Sequence, residues 1–177
     1  MLEVILYSAS SLDSYIARTD GRVDWLEYPR FTLPGEDFGY EKFLKSVDTT
    51  LMGNNTYQLI LGFGGPFPYP DTTNYVFSRS TDHRDNENVR FIREDPPGFV
   101  ERLRQQKGKN IWLIGGGQIN SLLLDRGVID RMILAVFPLV LGSGIPLFEG
   151  SPAESGFRLE DCRSYPNGVV NLEYTRS

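Results

Sequence analysis

The stretch with the clearest chemical potential is Ile111-Trp112-Leu113-Ile114-Gly115-Gly116-Gly117-Gln118-Ile119, an apolar run that breaks into three glycines. A continuous apolar run reads as a strand buried on both faces, as in a parallel sheet. Where the glycines follow, no Cβ intervenes, and backbone N–H groups can approach a ligand closely. A helix from Gln118 onward would present those N–H groups at its N-terminus, where they attract an anion. The pattern therefore predicts a phosphate or pyrophosphate site, with a ligand-free strand-to-helix turn as the competing account. It is not the Rossmann fingerprint. Gly115 and Gly117 supply G-x-G, but Asn120 stands where the third glycine belongs, and no acidic residue follows at the place that would take a ribose.

A second junction of this kind runs through Met52, Gly53, Asn54, Asn55, Thr56 and Tyr57, and two in one alternating chain reinforce each other. Ser78-Arg79-Ser80 sets two hydroxyls around a guanidinium, which suits a phosphate monoester as well as it suits an exposed loop. Asp24 lies beside Trp25, and Asp37 lies just ahead of a helical pattern. Asp37 is either a helix cap or a ligand-facing carboxylate, and Trp25 is either core or a ligand contact.

These residues need elements to hold them. Apolar runs predict strands over 2–7, 49–52, 74–77, 89–92, 111–114 and 131–137. Helical spacing predicts helices over 40–47, 57–61, 96–107 and 118–125, and the Pro/Gly-bearing 27–39 stretch reads as a loop near the site. Pro166-Asn167-Gly168 between two further strands signals a terminal hairpin. Strands alternating with helices give an α/β class: a mostly parallel sheet flanked by helices, with a C-terminal antiparallel hairpin, in a single domain over 1–177.

Composition narrows the classes. With 40% hydrophobic and 12% aromatic residues the chain can build a core. A net charge of −5 argues against nucleic acid or an anionic membrane as partner. One cysteine, Cys162, and no secretory pattern at the N-terminus predict a cytoplasmic protein; one histidine, His83, does not predict a His/Cys metal cluster.

Taken in order, several blocks resemble one family. They are Ser11-Leu12-Asp13-Ser14-Tyr15-Ile16-Ala17 with Asp20-Gly21 and Asp24-Trp25, then the Met52, Phe77-Ser78-Arg79-Ser80 and Ile114 blocks, then Val128-Ile129-Asp130 and the run 138–148. The chain resembles the dihydrofolate reductase-like superfamily, and within it the reductase domain of bacterial riboflavin biosynthesis. The resemblance implies a dihydrofolate-reductase fold, a homodimer, and NADPH across the sheet's carboxyl edge. Gly53, Asn54, Asn55, Thr56, Ser78, Arg79 and Ser80 would hold the adenosine side. Gly115, Gly116, Gly117, Gln118 and Ile119, with Ile114 ahead of them, would hold the pyrophosphate. Ala9, Ile16, Ala17 and Gly21 would line the nicotinamide, and a small-molecule substrate would lie near Trp25, Asp24 and the loop from Leu141.

Two positions depart from the family pattern. Ser14 replaces a usual glycine, which touches loop geometry. Asn54 replaces the usual Arg or Lys that meets the cofactor's 2′-phosphate, a bond worth ~1.5–3 kcal/mol. Arg79 would then carry that charge alone, with NADH as the other admissible cofactor. The implied activity is hydride transfer to a C=N or C=O of a pterin- or ribityl-pyrimidine-like heterocycle, with Asp37 or Asp24 supplying the proton. The alternative is a non-catalytic nucleotide-binding sensor on the same fold.

Overall fold

Six of the apolar runs become the parallel strands of one sheet in the computed structural model, which describes residues 1–177. The strands are β1 (Val4–Ser10), β2 (Tyr15–Ala17), β3 (Val47–Gly53), β4 (Thr73–Phe77), β5 (Val89–Ile92), β6 (Asn110–Gly115), β7 (Arg131–Val136), β8 (Ile145–Pro146), β9 (Phe157–Ser164) and β10 (Val170–Arg176). The helices are α1 (Tyr40–Leu44), α2 (Asn54–Gly62), α3 (Pro96–Leu103) and α4 (Gly117–Asp125). The large sheet runs β5-β4-β3-β6-β1-β7-β10-β9, and β2 pairs with β8 in a separate two-stranded sheet. β5 through β7 in that order are parallel; β10 is antiparallel to β7 and β9 closes the hairpin. The carboxyl ends of β1, β3, β4 and β6 consequently open on one edge, which is where ligands bind in such sheets.

Strand periodicity divides the core into two layers. Val4, Leu6, Leu51, Phe77, Ile111 and Leu113 face α3 and α4 through Val100, Leu103, Ile119 and Leu123. On the other face Ile5 and Trp112 meet Phe43 of α1, while Met52 and Val76 meet Tyr57 of α2. The 24–39 stretch covers the far end of that face as two short 3₁₀ turns that bury Trp25 and Phe31 against Ala135 and Phe137.

Two expected helices are shorter in the structure. The 40–47 pattern stops at Leu44, because Val47 already pairs with Asn110 and opens β3; β-branched Val47, Thr49 and Thr50 favour the strand. The 96–107 helix ends at Leu103. The Arg104 carbonyl accepts from Leu2 N at 2.9 Å, and the Arg104 guanidinium reaches both carboxylate oxygens of Asp130, so the chain turns toward β6. Helix α2 starts earlier than expected, at Asn54 directly after β3.

Ser14 keeps the geometry its glycine counterpart would have. Its φ is +64°, its N–H donates to Ser11 O at 3.0 Å, and its carbonyl accepts from Leu147 N at 2.9 Å. A side chain in this region costs about 1–2 kcal/mol, while a glycine loses about 0.4–1 kcal/mol through the unfolded chain. Ser14→Gly is therefore expected to stabilise the protein by ~0.5–1 kcal/mol in urea unfolding; an unchanged or lowered midpoint would show that the turn is not strained.

Candidate functional site

The carboxyl edge of the sheet carries a cleft of about 960 Å³. Of the cofactor residues predicted from the sequence, Ala9, Ile16, Ala17, Gly21, Gly53, Asn54, Asn55, Thr56, Ser78, Arg79, Ser80, Ile114, Gly116, Gly117, Gln118 and Ile119 all line it. Gly115 alone does not. It is buried in the wall with φ +104°, and a Cβ there would stand 2.8 Å from Asn120 Oδ1.

The three glycines answer different demands. Gly115 adopts a backbone that side chains avoid. Gly117 packs so tightly that a Cβ would come within 2.5 Å of Pro146 O. Gly116 faces the cleft, where a Cβ would meet Thr56 Oγ1 at 3.2 Å and Ile16 Cδ1 at 4.0 Å. Of the three glycines, two are thus demanded by backbone conformation or packing, and Gly116 is the least crowded.

Helices α2 and α4 both begin in the cleft, and neither has a side-chain cap. Helix α3, whose Pro96 also reaches the cleft, is by contrast capped by Asp95, which accepts from Gly98 N at 3.0 Å. Uncapped first turns leave N–H groups and a positive partial charge facing the cavity. Arg79 adds a full charge and is exposed, with no carboxylate partner. Its flanking hydroxyls are engaged in the turn: Ser78 Oγ lies 2.7 Å from His83 Nδ1, and Ser80 Oγ accepts from Asp82 N at 3.1 Å. Asn54 turns its Oδ1 toward Gln58 Nε2 at 3.4 Å.

Besides Gly115, four predicted site residues lie outside the cleft lining. Trp25 is fully buried, edge-on to Phe137 with ring centroids 5.4 Å apart, so its large apolar ring serves the core. Leu141 is held by its backbone, its N–H donating to Asp13 Oδ1 at 3.0 Å. Asp24 is exposed and pairs with Arg18 Nε at 2.7 Å; that bond pulls its pKa down, the reverse of the rise expected of a carboxyl desolvated beside Trp25. Asp37 accepts from Glu41 N at 2.7 Å and Gly39 N at 2.9 Å, which also lowers its pKa. Both its oxygens take backbone N–H groups at the entry to α1, the use that the capping alternative describes.

The groups that do face the cleft at its other end are Tyr7, Tyr40 and Tyr69, beside Trp112. Burial pushes the Tyr7 hydroxyl up to about 12 and raises Tyr40 and Tyr69 as well, so all three remain protonated at neutral pH. Sequence reading takes Tyr7 and Trp112 for strand core and Tyr40 for a helix stripe. The available signal is the polar tip that each tyrosine carries on an otherwise apolar position. Arg93 is a further cleft residue absent from the prediction; its guanidinium donates to Ser80 O at 3.1 Å and to His83 O, bracing the turn beside Arg79.

Residues 69–171 match the RibD C-terminal domain family. The chain belongs to that family. It is 41% identical over 176 residues to the uncharacterized protein YwjB of Bacillus subtilis (strain 168), covering 99% of this chain and 98% of that one. The uncharacterized protein YyaP of the same organism is 31% identical over 182 residues, covering 97% and 93%. A putative riboflavin biosynthesis protein from Shewanella sp. PV-4 superposes with a TM-score of 0.88 at 26% identity over 99% of both chains. A diaminohydroxyphosphoribosylaminopyrimidine deaminase/5-amino-6-(5-phosphoribosylamino)uracil reductase of Thermotoga maritima shares the fold, with a TM-score of 0.74 at 16% identity, over 99% of this chain and 57% of that one. The fold is dihydrofolate-reductase-like, as the resemblance implied, and the family is of the riboflavin-biosynthesis reductase type. No helix is long and apolar enough to cross a membrane.

Two measurements follow from this geometry. Gly117→Ala should cost about 1–3 kcal/mol or more in unfolding experiments, since the added methyl meets backbone, whereas Gly116→Ala, which meets only the Thr56 hydroxyl at 3.2 Å, should cost clearly less and weaken nucleotide binding several-fold. Equal effects of the two on stability would contradict the separate roles. In an alkaline titration, Tyr7 should contribute stability that is intact below pH ~10, where an unfolded tyrosine is still neutral, and that is lost as pH rises toward its folded pKa of about 12. Phenolate absorbance showing every tyrosine ionised near pH ~10 in a still-folded protein would refute this.

Proposed function

We propose that the chain is an NADPH-dependent reductase acting on a C=N or C=O bond of a small heterocycle. One observation carries the reading: two uncapped helix N-termini and an arginine without a carboxylate partner open into the same cleft. Those groups fit a dinucleotide, whose pyrophosphate needs N–H donors and whose 2′-phosphate needs a cation. A bound nicotinamide would supply the hydride to the substrate carbon.

The residues of this chain would then bind, orient and exclude water. The first turns of α2 and α4 hold the pyrophosphate, and Gly116 lets the chain approach it. Arg79 takes the 2′-phosphate, which Asn54 cannot neutralise. Ala9, Ile16, Ala17 and Gly21 give the nicotinamide an apolar wall, so that its ring is fixed and water is kept from the reacting carbon. The proton that must reach the substrate nitrogen or oxygen is held near the site at the phenol oxygens of Tyr7, Tyr40 and Tyr69, which line the cleft where Asp24 and Asp37 do not.

A titration following nicotinamide fluorescence tests the reading. NADPH should bind more tightly than NADH. Arg79→Ala should weaken NADPH roughly tenfold to a hundredfold, the worth of a charge-assisted bond, and leave NADH unchanged. Identical affinities in wild type and variant would take the 2′-phosphate away from Arg79. Failure of both cofactors to bind at millimolar concentration would end the cofactor assignment, and binding with no turnover of any acceptor would favour a sensor.

A further inference from the structure

The cleft has two chemically different ends. Arg79, Arg93 and His83 stand at the end formed after β4 and β5. At the end formed by β1, β6 and the start of α1 the lining includes Tyr7, Tyr40, Tyr69 and Trp112, and the charge that acts on the Tyr7 phenol is the negative one of Asp37. We propose that this second end is the substrate subsite, that Tyr7, Tyr40, Tyr69 and Trp112 form it, and that it takes a planar, neutral heterocycle bearing no phosphate group. The inference rests on the reductase reading above and narrows it to a substrate class.

The four rings form one connected surface. Ring centroids lie 5.1 Å apart for Tyr69 and Trp112, 5.9 Å for Tyr40 and Trp112, and 5.9 Å for Tyr7 and Tyr40. Trp112 is fixed from behind, its Nε1 donating to Tyr7 O at 3.1 Å, so its indole contributes a rigid apolar wall and no free donor. Tyr7 is held by stacking on Phe43 at 4.3 Å. Walls of this kind bind flat rings at little entropic cost.

Their polar atoms fit the same class. Apart from the contact between Tyr40 and Tyr69, the three hydroxyls bond to nothing else in the protein, and none is sealed from the cavity. Held neutral by burial, they offer O–H donors to ring carbonyls and ring nitrogens. A phosphate dianion placed there would lose its hydration and meet no cation, which is costly. The arginines of the neighbouring turn do not offer one. Arg18 is bonded to Asp24 and to Tyr28 Oη, Arg22 is bonded to Asp20, and neither lines the cleft.

The Thermotoga maritima relative is named for a phosphorylated substrate, 5-amino-6-(5-phosphoribosylamino)uracil. That compound and the same compound with its phosphate removed are therefore the decisive probes. Each would be titrated into the NADPH-saturated protein while Trp112 emission is followed in a Trp25→Phe background. The dephosphorylated form should bind at least about tenfold more tightly, and Tyr40→Phe and Tyr69→Phe should each weaken it about threefold to tenfold, the worth of one hydrogen bond. NADPH affinity, measured separately, should not change in these variants. Equal or tighter binding of the phosphorylated form would overturn the proposal, as would tyrosine variants that bind like wild type. If neither compound binds although NADPH does, the substrate class is wrong and the cofactor reading stands. If NADPH itself does not bind, the reductase reading fails first.

Discussion

The cleft depends on one close contact, the first turn of α4 pressed onto residues 146–149. Pro146 O occupies the space a Cβ on Gly117 would need, and Glu149 N donates to Gly117 O at 3.2 Å. Asn120 Nδ2 donates to Leu147 O at 2.8 Å, and Ser121 Oγ donates to Glu149 O at 2.8 Å. Leu147 N in turn donates to Ser14 O, tying the β2–β8 pair to the helix. Without this clasp Ile16 and Ala17 would have no fixed position opposite Gly116. Asn120, which spoils a Rossmann fingerprint, is thus the buried anchor of a different arrangement. A glycine at this position would leave the Leu147 carbonyl without its donor, and a buried polar group that loses its partner is costly.

The second organising feature is electrostatic. Every parallel strand delivers its carboxyl end to one edge, and two of the following helices enter the cavity with bare N-termini. A compact protein leaves such donors uncapped at a cost in stability of about 1 kcal/mol per helix, and an anionic ligand recovers it. The cationic side chains of the cleft lining, Arg79 and Arg93, stand with the first turns of α2 and α4, while Tyr7, Tyr40 and Tyr69 contribute neutral phenols.

Much of this was legible in the residues. The run from Ile111 to Ile119 reads correctly as strand, turn and helix because continuous apolar character and glycine are local signals. The strand-to-helix junction at 52–57 is legible for the same reason, and residues of it and of the 78–80 block reach the cleft. The readings that did not hold concern side-chain direction. Trp25 next to Asp24 suggests a desolvated carboxyl, yet consecutive residues on a 3₁₀ turn point apart, one into the core and one to Arg18. Asp37 precedes a helix and is used by the backbone there, with two N–H groups taking its oxygens. Gly115, Gly116 and Gly117 are identical as letters, and only the packing around each separates a ligand-facing position from two structural ones.

The sequence by itself determined the alternation of strand and helix, the terminal hairpin and the two glycine-bearing strand-to-helix junctions. All of these follow from periodicity and backbone freedom within a few residues. Tertiary structure decided what converges there. Tyr7, Tyr40, Tyr69 and Trp112 come from four separate segments and become one surface only when β6 inserts between β1 and β3 and α1 packs over them. Which carboxylates stay ionised, and which phenols stay neutral, was likewise decided by contacts across the fold. Charge state depends on burial and on partners, and neither is a property of a residue's place along the chain.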